Sequence, residues 1–425
     1  MLQHHHSSSD EDDDQHLSPS SPASQRSRRS SSTGSIQSYS SSVGSTFSRL
    51  LNHSKSSPKR KQKTSPTCTS PATPTDPSSP VPVGRLADKY GSYIKPDKRT
   101  NTKGMGATSK KNIASGATAV IRLVKDRNNR ILAVKEFKKR DKSENESEYT
   151  KRMQNEYAVS KSVSNHNNVV ETIDLVLNEH GRWCAIMEYC AGGDVFNLLN
   201  ERPSMSEMER ACLFKQLMLG LQHLHKMGVA HRDIKPENLV LTEGGTLKIA
   251  DFGVAYVVQS VFEDTVRPCY HWCGSEPFWA PEIWRLTCDK DPYDGRALDV
   301  WSAAITWFCI RDQTLPFKAA FHKAPSVAAH PGSPAHVASK AEDEGDIEYG
   351  RYCIQRRNHE QCDLLANMPA AERECLLGMM DPDPATRWTV DQALESEWLK
   401  SVELCNDGEL DNGWRHYHCI PSHKK

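Results

Sequence analysis

The amino-acid sequence predicts an α+β protein of two lobes, a small β-rich one followed by a larger helical one, preceded by a disordered serine-rich arm. Three observations carry this expectation. Residues 113 to 190 hold short apolar runs separated by polar turns, the pattern of strands. Beyond Gly193 the apolar residues recur at spacings of three and four, the pattern of helices buried on one face. Residues 1 to about 85 are dominated by Ser, Thr and Pro with few aromatics, and cannot bury enough apolar surface to offset the entropy of ordering.

Bulk properties exclude some functions. The 425 residues include 54 basic and 54 acidic side chains, so net charge points to no nucleic-acid and no membrane partner. No run of about 18 apolar residues marks a transmembrane segment. The start, MLQHHHSSSDEDDD, lacks the basic-then-apolar pattern of a signal peptide. The 13 cysteines are scattered without paired spacing. Cys269 with Cys273, or the terminal HYHC ending at Cys419, could be imagined as metal ligands. Neither has a second pair at zinc-site spacing, so ordinary reduced thiols of a cytoplasmic protein are expected.

In chain order, the arm (1–85) carries Ser-Pro or Thr-Pro pairs at Ser18, Ser21, Ser57, Ser65, Ser70, Thr73 and Ser79, which suit a phosphorylated regulatory segment. The alternative is a passive linker. SPKRKQK, from Ser57 to Lys63, reads as a solvated charge run rather than a lipid or nuclear address. Residues 86–107 form a basic lead-in. AVIRLV and ILAVKEF then predict an antiparallel hairpin around the polar KDRNNR turn. NEYAVSKSV has helical spacing, and VVETIDLVLNEHGRWCAIMEYC predicts two strands around His180-Gly181. VFNLLN and EMERACLFKQLMLGLQHLHKMG predict helices, the second closed by Gly228. Residues 322–347, rich in Ala, Pro and His, are expected to form a disordered insertion, and 401–425 a C-terminal tail.

HRDIKPENLV and IADFGVA carry the chemistry. Asp233 stands five residues before Asn238, and Asp251 opens the Asp-Phe-Gly triplet. Phosphoryl transfer needs a carboxylate to position and deprotonate the attacking hydroxyl, and oxygen ligands for metal ions that neutralise the phosphates. Asp233 fits the first role, Asn238 and Asp251 the second. Lys235 can reach the transferring phosphoryl as a point charge.

In these motifs, their order and their spacing, residues 108–400 resemble a eukaryotic protein kinase. The resemblance implies a bilobal protein-kinase fold, ATP and Mg2+ (or Mn2+), and protein substrates with Ser or Thr acceptors, since Lys235 is the Ser/Thr form of the loop. It implies that Lys135 in LAVKEF holds the α- and β-phosphates and that Ala133 lies against adenine. Glu156 is the best candidate for the helix partner of Lys135, because Glu144, Glu146 and Glu148 are expected to precede the helix. In IMEYCAGGD, Met187 resembles the gatekeeper, Glu188 to Cys190 the hinge, and Asp194 the ribose-binding acid; Val240 is expected beneath the adenine. Asp299 resembles the buried anchor of the catalytic loop, and Glu282 with Arg387 a structural ion pair.

Two departures stand out. His271 occupies the usual activating-phosphate position, four residues before Gly274-Ser275, although Arg232 is of the type that binds such a phosphate. Either Ser260, Thr265 or Tyr270 supplies one, or the segment is held without it. The glycine loop is also reduced. Gly116 stands 19 positions before Lys135 and Gly106 stands 29, so the loop is IASGATAVI, with Ala114, Gly116 and Ala119 at the three glycine positions and Ile121 over the adenine. GMGATSKK fails as a Walker-type loop because Ser109 replaces the required glycine.

CGSEPFWAPE and the serine-rich arm are similar to the fungal halotolerance and nitrogen-permease-reactivator kinases. That likeness implies regulation of plasma-membrane ion or nutrient transporters, a cytoplasmic or peripheral membrane location, and upstream proline-directed kinases acting on the arm. The rival expectation is a pseudokinase scaffold with a lipid- or partner-binding basic arm.

Overall fold

In a computed structural model of the chain, residues 83–94, 113–116, 118–142, 144–260, 265–322 and 345–418 are described. The serine-rich arm up to residue 82, the GMGATSKK segment and residues 323–344 of the expected insertion lie outside the described residues.

Five antiparallel strands build the small lobe: β1 (Ala114–Ser115), β2 (Ala119–Lys125), β3 (Ile131–Phe137), β4 (Thr172–Leu177) and β5 (Trp183–Glu188), in the order β1-β2-β3-β5-β4. The register sets Lys135 between Ile121 and Ala185, and Ala133 between Leu123 and Met187. Because strand side chains alternate, Ala133, Lys135 and Phe137 share one face, while Leu132, Val134 and Glu136 share the other. The second face buries Leu132, Val134, Val176, Cys184 and Ile186 together with Leu86.

Leu86 comes from the expected lead-in, whose start is part of the lobe. Helix α1 (Leu86–Tyr90) covers that apolar sheet face. Tyr93 donates to Glu136 at 2.8 Å, Lys89 bonds Asp174 at 2.8 Å, and Arg85 and Ile94 bridge Leu177 and Leu123. An apolar sheet face left in water would be unfavourable, so the polar-looking segment supplies a cover.

Helix α2 (Glu146–Ser162) starts earlier than NEYAVSKSV suggests, so Glu146 and Glu148 lie in its first turn rather than before it. Asn145 caps it, accepting from the Glu148 N–H at 2.8 Å, and the acidic first turn complements the helix dipole. Those polar residues carry no apolar period, which is why the start was not visible.

The helical lobe contains α3 (Val195–Glu201), α4 (Glu207–Lys226), a single turn α5 (Pro281–Trp284), α6 (Gly295–Asp312), α7 (Ile347–Arg357), α8 (Ala370–Met379), α9 (Val390–Leu394) and α10 (Glu397–Ser401). Helix α4 opens with a reciprocal capping box between Ser206 and Glu209. Helix α6 is buried almost throughout and lies at the centre of the largest apolar cluster. At its first turns Asp299, 0% exposed, accepts from the backbone N–H groups of His231 (2.8 Å) and Arg232 (2.7 Å) and bonds His225 Nε2 at 3.0 Å. A buried carboxylate thereby fixes the loop that carries Asp233. Arg387 grips Glu282 through two bonds of 2.7 and 2.8 Å.

Short strands complete the floor of the cleft: β6 (Gly193–Asp194), β8 (Leu239–Leu241) and β9 (Leu247–Ile249) in one sheet, β7 (Val229–Ala230) and β10 (Tyr256–Val257) in another. Gly228 (φ +73°) closes α4, and a Cβ there would meet the Gln259 carbonyl at 2.0 Å. The tail from Val402 to His418 docks on α4 and the β8–β9 turn. Lys215 donates to the Val402 carbonyl at 2.7 Å, and Asp407 accepts from Thr246 at 2.7 Å and Thr242 at 3.2 Å. Among the described residues no helix is long and apolar enough to cross a membrane.

Leu86→Ala should therefore weaken the small lobe by about 2–4 kcal/mol. Urea unfolding of the chain measures it; an unchanged midpoint would mean that α1 is not a structural part of the lobe.

Candidate active site

The loop between β7 and β8 presents Asp233, held from three sides. Lys235 Nζ donates to Oδ2 at 2.8 Å, Ser275 Oγ to Oδ1 at 2.9 Å, and Asn238 Nδ2 to Oδ2 at 3.0 Å. Lys235 also bonds Ser275 Oγ at 2.6 Å, closing a triangle. Asn238 Nδ2 reaches the Asp233 carbonyl as well, at 2.8 Å, which leaves its amide oxygen as a ligand atom. Gly274 (φ +84°) brings Ser275 this close, since a Cβ there would meet the Arg232 carbonyl at 2.4 Å.

Across the cleft, Lys135 Nζ lies 2.6 Å from Glu156 Oε1 and 2.7 Å from Asp251 Oδ1. The structure thus brings β3, α2 and the segment after β9 to one ammonium. Burial would lower the pKa of Lys135, but Asp251 and Glu156 outweigh it and hold the group above its ordinary range. Lys135 in turn holds the Asp251 carboxyl down at about 2, assisted by the Gly253 N–H. Asp251 takes a left-handed backbone (φ 65°), and Phe252 after it is buried edge-on against the His231 ring. His231 also bonds the Ala250 carbonyl at 3.0 Å.

The residues expected at the nucleotide differ in how they are engaged. Ala133 is buried opposite Met187, which packs against Phe137, Met153 and Ala185. Val240 pairs with Asp194 across β8 and β6. Ile121 pairs with Ala114 in the β1–β2 hairpin, whose turn holds Gly116, bonded from its N–H to the Ala119 carbonyl at 3.0 Å. Two expected side chains are engaged elsewhere. Glu188 turns to Lys248 (3.0 Å) and the Glu171 N–H (2.6 Å). Asp194 caps α3, accepting from Asn197 through both oxygens at 2.8 and 2.7 Å. Burial pushes the Cys190 thiol up to about 12, so it remains neutral at the hinge.

Comparison with known proteins agrees with this geometry: the protein kinase domain pattern matches residues 107–399. The chain belongs to the protein kinase family. It is 36% identical over 279 residues to the serine/threonine-protein kinase hal4 of Schizosaccharomyces pombe, covering 65% of this chain and 40% of the relative. It is 33% identical over 306 residues to the Saccharomyces cerevisiae kinase HAL4/SAT4, covering 70% and 46%. The nitrogen permease reactivator protein of the same yeast is 30% identical over 330 residues, covering 72% and 40%. The chain therefore aligns with less than half of the length of each of these curated relatives.

Arg232 is engaged by groups of the chain itself. Arg232 donates to the Val254 carbonyl at 2.8 Å, the Tyr293 hydroxyl at 2.9 Å and the Tyr270 carbonyl at 3.3 Å, and lies 5.3 Å from the Tyr256 ring centre. Of the residues considered as phosphate carriers, Ser260, Thr265 and Tyr270 are described, and His271 stands at the usual position with a left-handed φ of 60°.

The sequence marks Ser275 only as the residue beside Gly274, and its bonds to Lys235 and Asp233 add it to the site. Its place directly after a glycine in the family's Gly-Thr position was the available signal. Ala119 was read as a reduced glycine, yet its methyl is 5% exposed and packs with Phe137, Met153, Trp183 and Ala185. Ala119→Gly should therefore destabilise the lobe by about 1–2 kcal/mol, through a lost buried methyl and added backbone entropy. Ala114→Gly should cost less and leave the Michaelis constant for ATP unchanged or lower. Thermal melts and ATP titrations of the two variants check this pair.

The charge relation between Lys135 and Asp251 also predicts a pH window. The folded pKa of Asp251 lies below the ordinary 3.8, so its stabilisation is complete above about pH 4 and lost as the pH falls toward 2. Lys135→Met should remove this acid-limb difference in a stability-versus-pH series.

Proposed function

We propose that the chain transfers the γ-phosphoryl group of ATP to Ser or Thr hydroxyls of protein substrates. The observation that carries this reading is the orientation of Asp233 by Lys235, Ser275 and Asn238. A carboxylate fixed in this way can accept the proton of an incoming hydroxyl while the neighbouring ammonium of Lys235 meets negative charge developing on the phosphoryl oxygens. Lys135, anchored by Glu156, holds the phosphate chain from the other side of the cleft. The donor set suits hard divalent cations. Asn238 and Asp251 would hold Mg2+ (or Mn2+), which supplies charge neutralisation at the phosphates. Asp251 stays ionised at working pH, as such a ligand must.

Adenine recognition falls to the backbone of the 188–190 hinge, between Ala133, Ile121 and Val240. Because Asn197 occupies both oxygens of Asp194, ribose binding there requires that cap to share its bonds. The activation segment needs no phosphate to satisfy Arg232, which supports regulation by something other than the usual site. One relative is named a nitrogen permease reactivator protein, and on that likeness we infer regulation of membrane transporters as the biological role to test. The limits we propose are 108–400 for the kinase domain, with residues 83–94 as an added cover and the serine-rich arm, read from the sequence as 1–85, ending before that cover.

Asp233→Asn should lower peptide phosphorylation by at least about 10³-fold with ATP binding retained, because a base is lost and the fold is not. Near-normal turnover in that variant would overturn the assignment of the base. Phosphatase treatment of the chain should leave most of its activity intact; loss on treatment, with mass spectrometry locating a phosphate between residues 254 and 275, would show the opposite. A positional-scanning peptide library identifies the acceptor residue and its flanking preferences.

A further inference from the structure

Four metal-ligating side chains from distant parts of the chain converge where the tail docks on α4. Cys212 belongs to α4, whereas Cys405, His416 and His418 belong to the docked tail. Their ligand atoms all lie within 4.8 Å of one another. Cys212 and His418 are 0% exposed and His416 is 5% exposed.

Two of the separations match the edges of a coordination shell. Cys212 Sγ and Cys405 Sγ are 3.5 Å apart, and His418 Nε2 is 3.4 Å from Cys405 Sγ. A disulfide would need about 2.05 Å. Tetrahedral zinc with Zn–S of about 2.3 Å and Zn–N of about 2.0–2.1 Å has ligand–ligand edges of roughly 3.3–3.8 Å. Both ring nitrogens of His416, and Nδ1 of His418, are buried without a hydrogen-bond partner. Buried nitrogens of that kind cost free energy unless something binds them, and one ion would take a nitrogen of His416 together with Nε2 of His418, the nitrogen that faces Cys405. We propose that Cys212, Cys405, His416 and His418 hold one structural zinc ion, which fastens the tail to the helical lobe.

The chain builds the shell by local means. Asn406 and Glu409 exchange backbone bonds of 2.8 and 2.9 Å around Asp407 (φ 46°) and Gly408 (φ 85°). That tight turn reverses the tail just after Cys405, and the His416 N–H then bonds the Gly408 carbonyl at 2.7 Å. In the extended stretch beyond it, alternate residues share a side, so both histidines turn inward while Tyr417 between them is 50% exposed. The Tyr417 N–H is tied to Glu209 at 2.8 Å.

A second layer of bonds steadies the sulfurs. Gln216, one turn after Cys212, donates to Cys212 Sγ at 3.4 Å and Cys405 Sγ at 3.7 Å, and the Cys405 N–H donates to Cys212 Sγ at 3.4 Å. Two soft thiolates and two imidazoles favour zinc over magnesium or calcium. The two thiolate charges also balance the dication, so the buried unit carries no net charge. Through Gln216 Oε1, which accepts from the Leu247 N–H at 2.7 Å, the site braces β9, the strand that leads to Asp251.

The test is elemental analysis of the full chain, expressed with zinc and purified without chelator. It should contain about one zinc per chain, and cobalt should replace it with the visible absorption of a tetrahedral S2N2 site. Cys405→Ser and His418→Ala should each lower retained zinc by at least about tenfold. His416→Cys should keep it, which separates ligation from a general need for histidine or from misfolding. A wild-type chain with less than about a tenth of a zinc that also gives no cobalt spectrum would overturn the proposal. So would a Cys212–Cys405 disulfide as the main form in freshly purified protein.

Discussion

The ammonium of Lys135 is the point on which the active arrangement depends. It is almost enclosed, and a buried charge is tolerated only if opposite charges meet it at short range. Glu156 and Asp251 do so at 2.6 and 2.7 Å, from a helix and from the helical lobe. An ion triad of this kind adds little net stability, because desolvation offsets attraction. Its effect is positional: a rotation of α2, or a flip of the segment at Asp251, would leave a buried charge unmatched. The register of β3, the cap on α2 and the left-handed backbone of Asp251 all serve that meeting.

A comparable logic governs the opposite wall. Asp299, entirely buried, is matched by two backbone N–H groups and His225, so the catalytic loop hangs from the first turns of α6. Asp233 is then oriented by Lys235, Ser275 and Asn238. The two carboxylates have different tasks because of their neighbours. Asp251 is held strongly acidic by Lys135, as a metal ligand should be, while Asp233 sits among donors that fix its direction.

The ends of the kinase domain are anchored to it. Residues 83–94 cover the outer face of the sheet, and residues 402–418 lie along α4 and the β8–β9 turn. Both segments looked like linkers because they are polar and short of periodicity. Each contributes a few well-placed groups to a surface that the domain cannot leave bare. Zinc at the tail would add covalent-like strength where apolar burial is sparse.

Much was legible in the sequence. The apolar alternation of residues 119–137 and 172–188 gave strands, the spacing of 207–226 gave a helix, and the order of Lys135, Asp233, Asn238 and Asp251 named the chemistry. These are local signals, written in neighbouring residues, and they survive without knowledge of the fold. The choice of Glu156 from four glutamates rested on family spacing; the early start of α2 rested on a cap and charges that have no apolar period. What only tertiary structure decided involves contacts between residues far apart. Leu86 against the sheet, the Ala119 methyl in the core, the two oxygens of Asp194 taken by Asn197, and Ser275 on Asp233 could not be read from spacing. The cysteines make the point most sharply. Cys212 and Cys405 are separated by 193 positions, so no motif search pairs them, and only the docking of the tail on α4 brings their sulfurs to 3.5 Å.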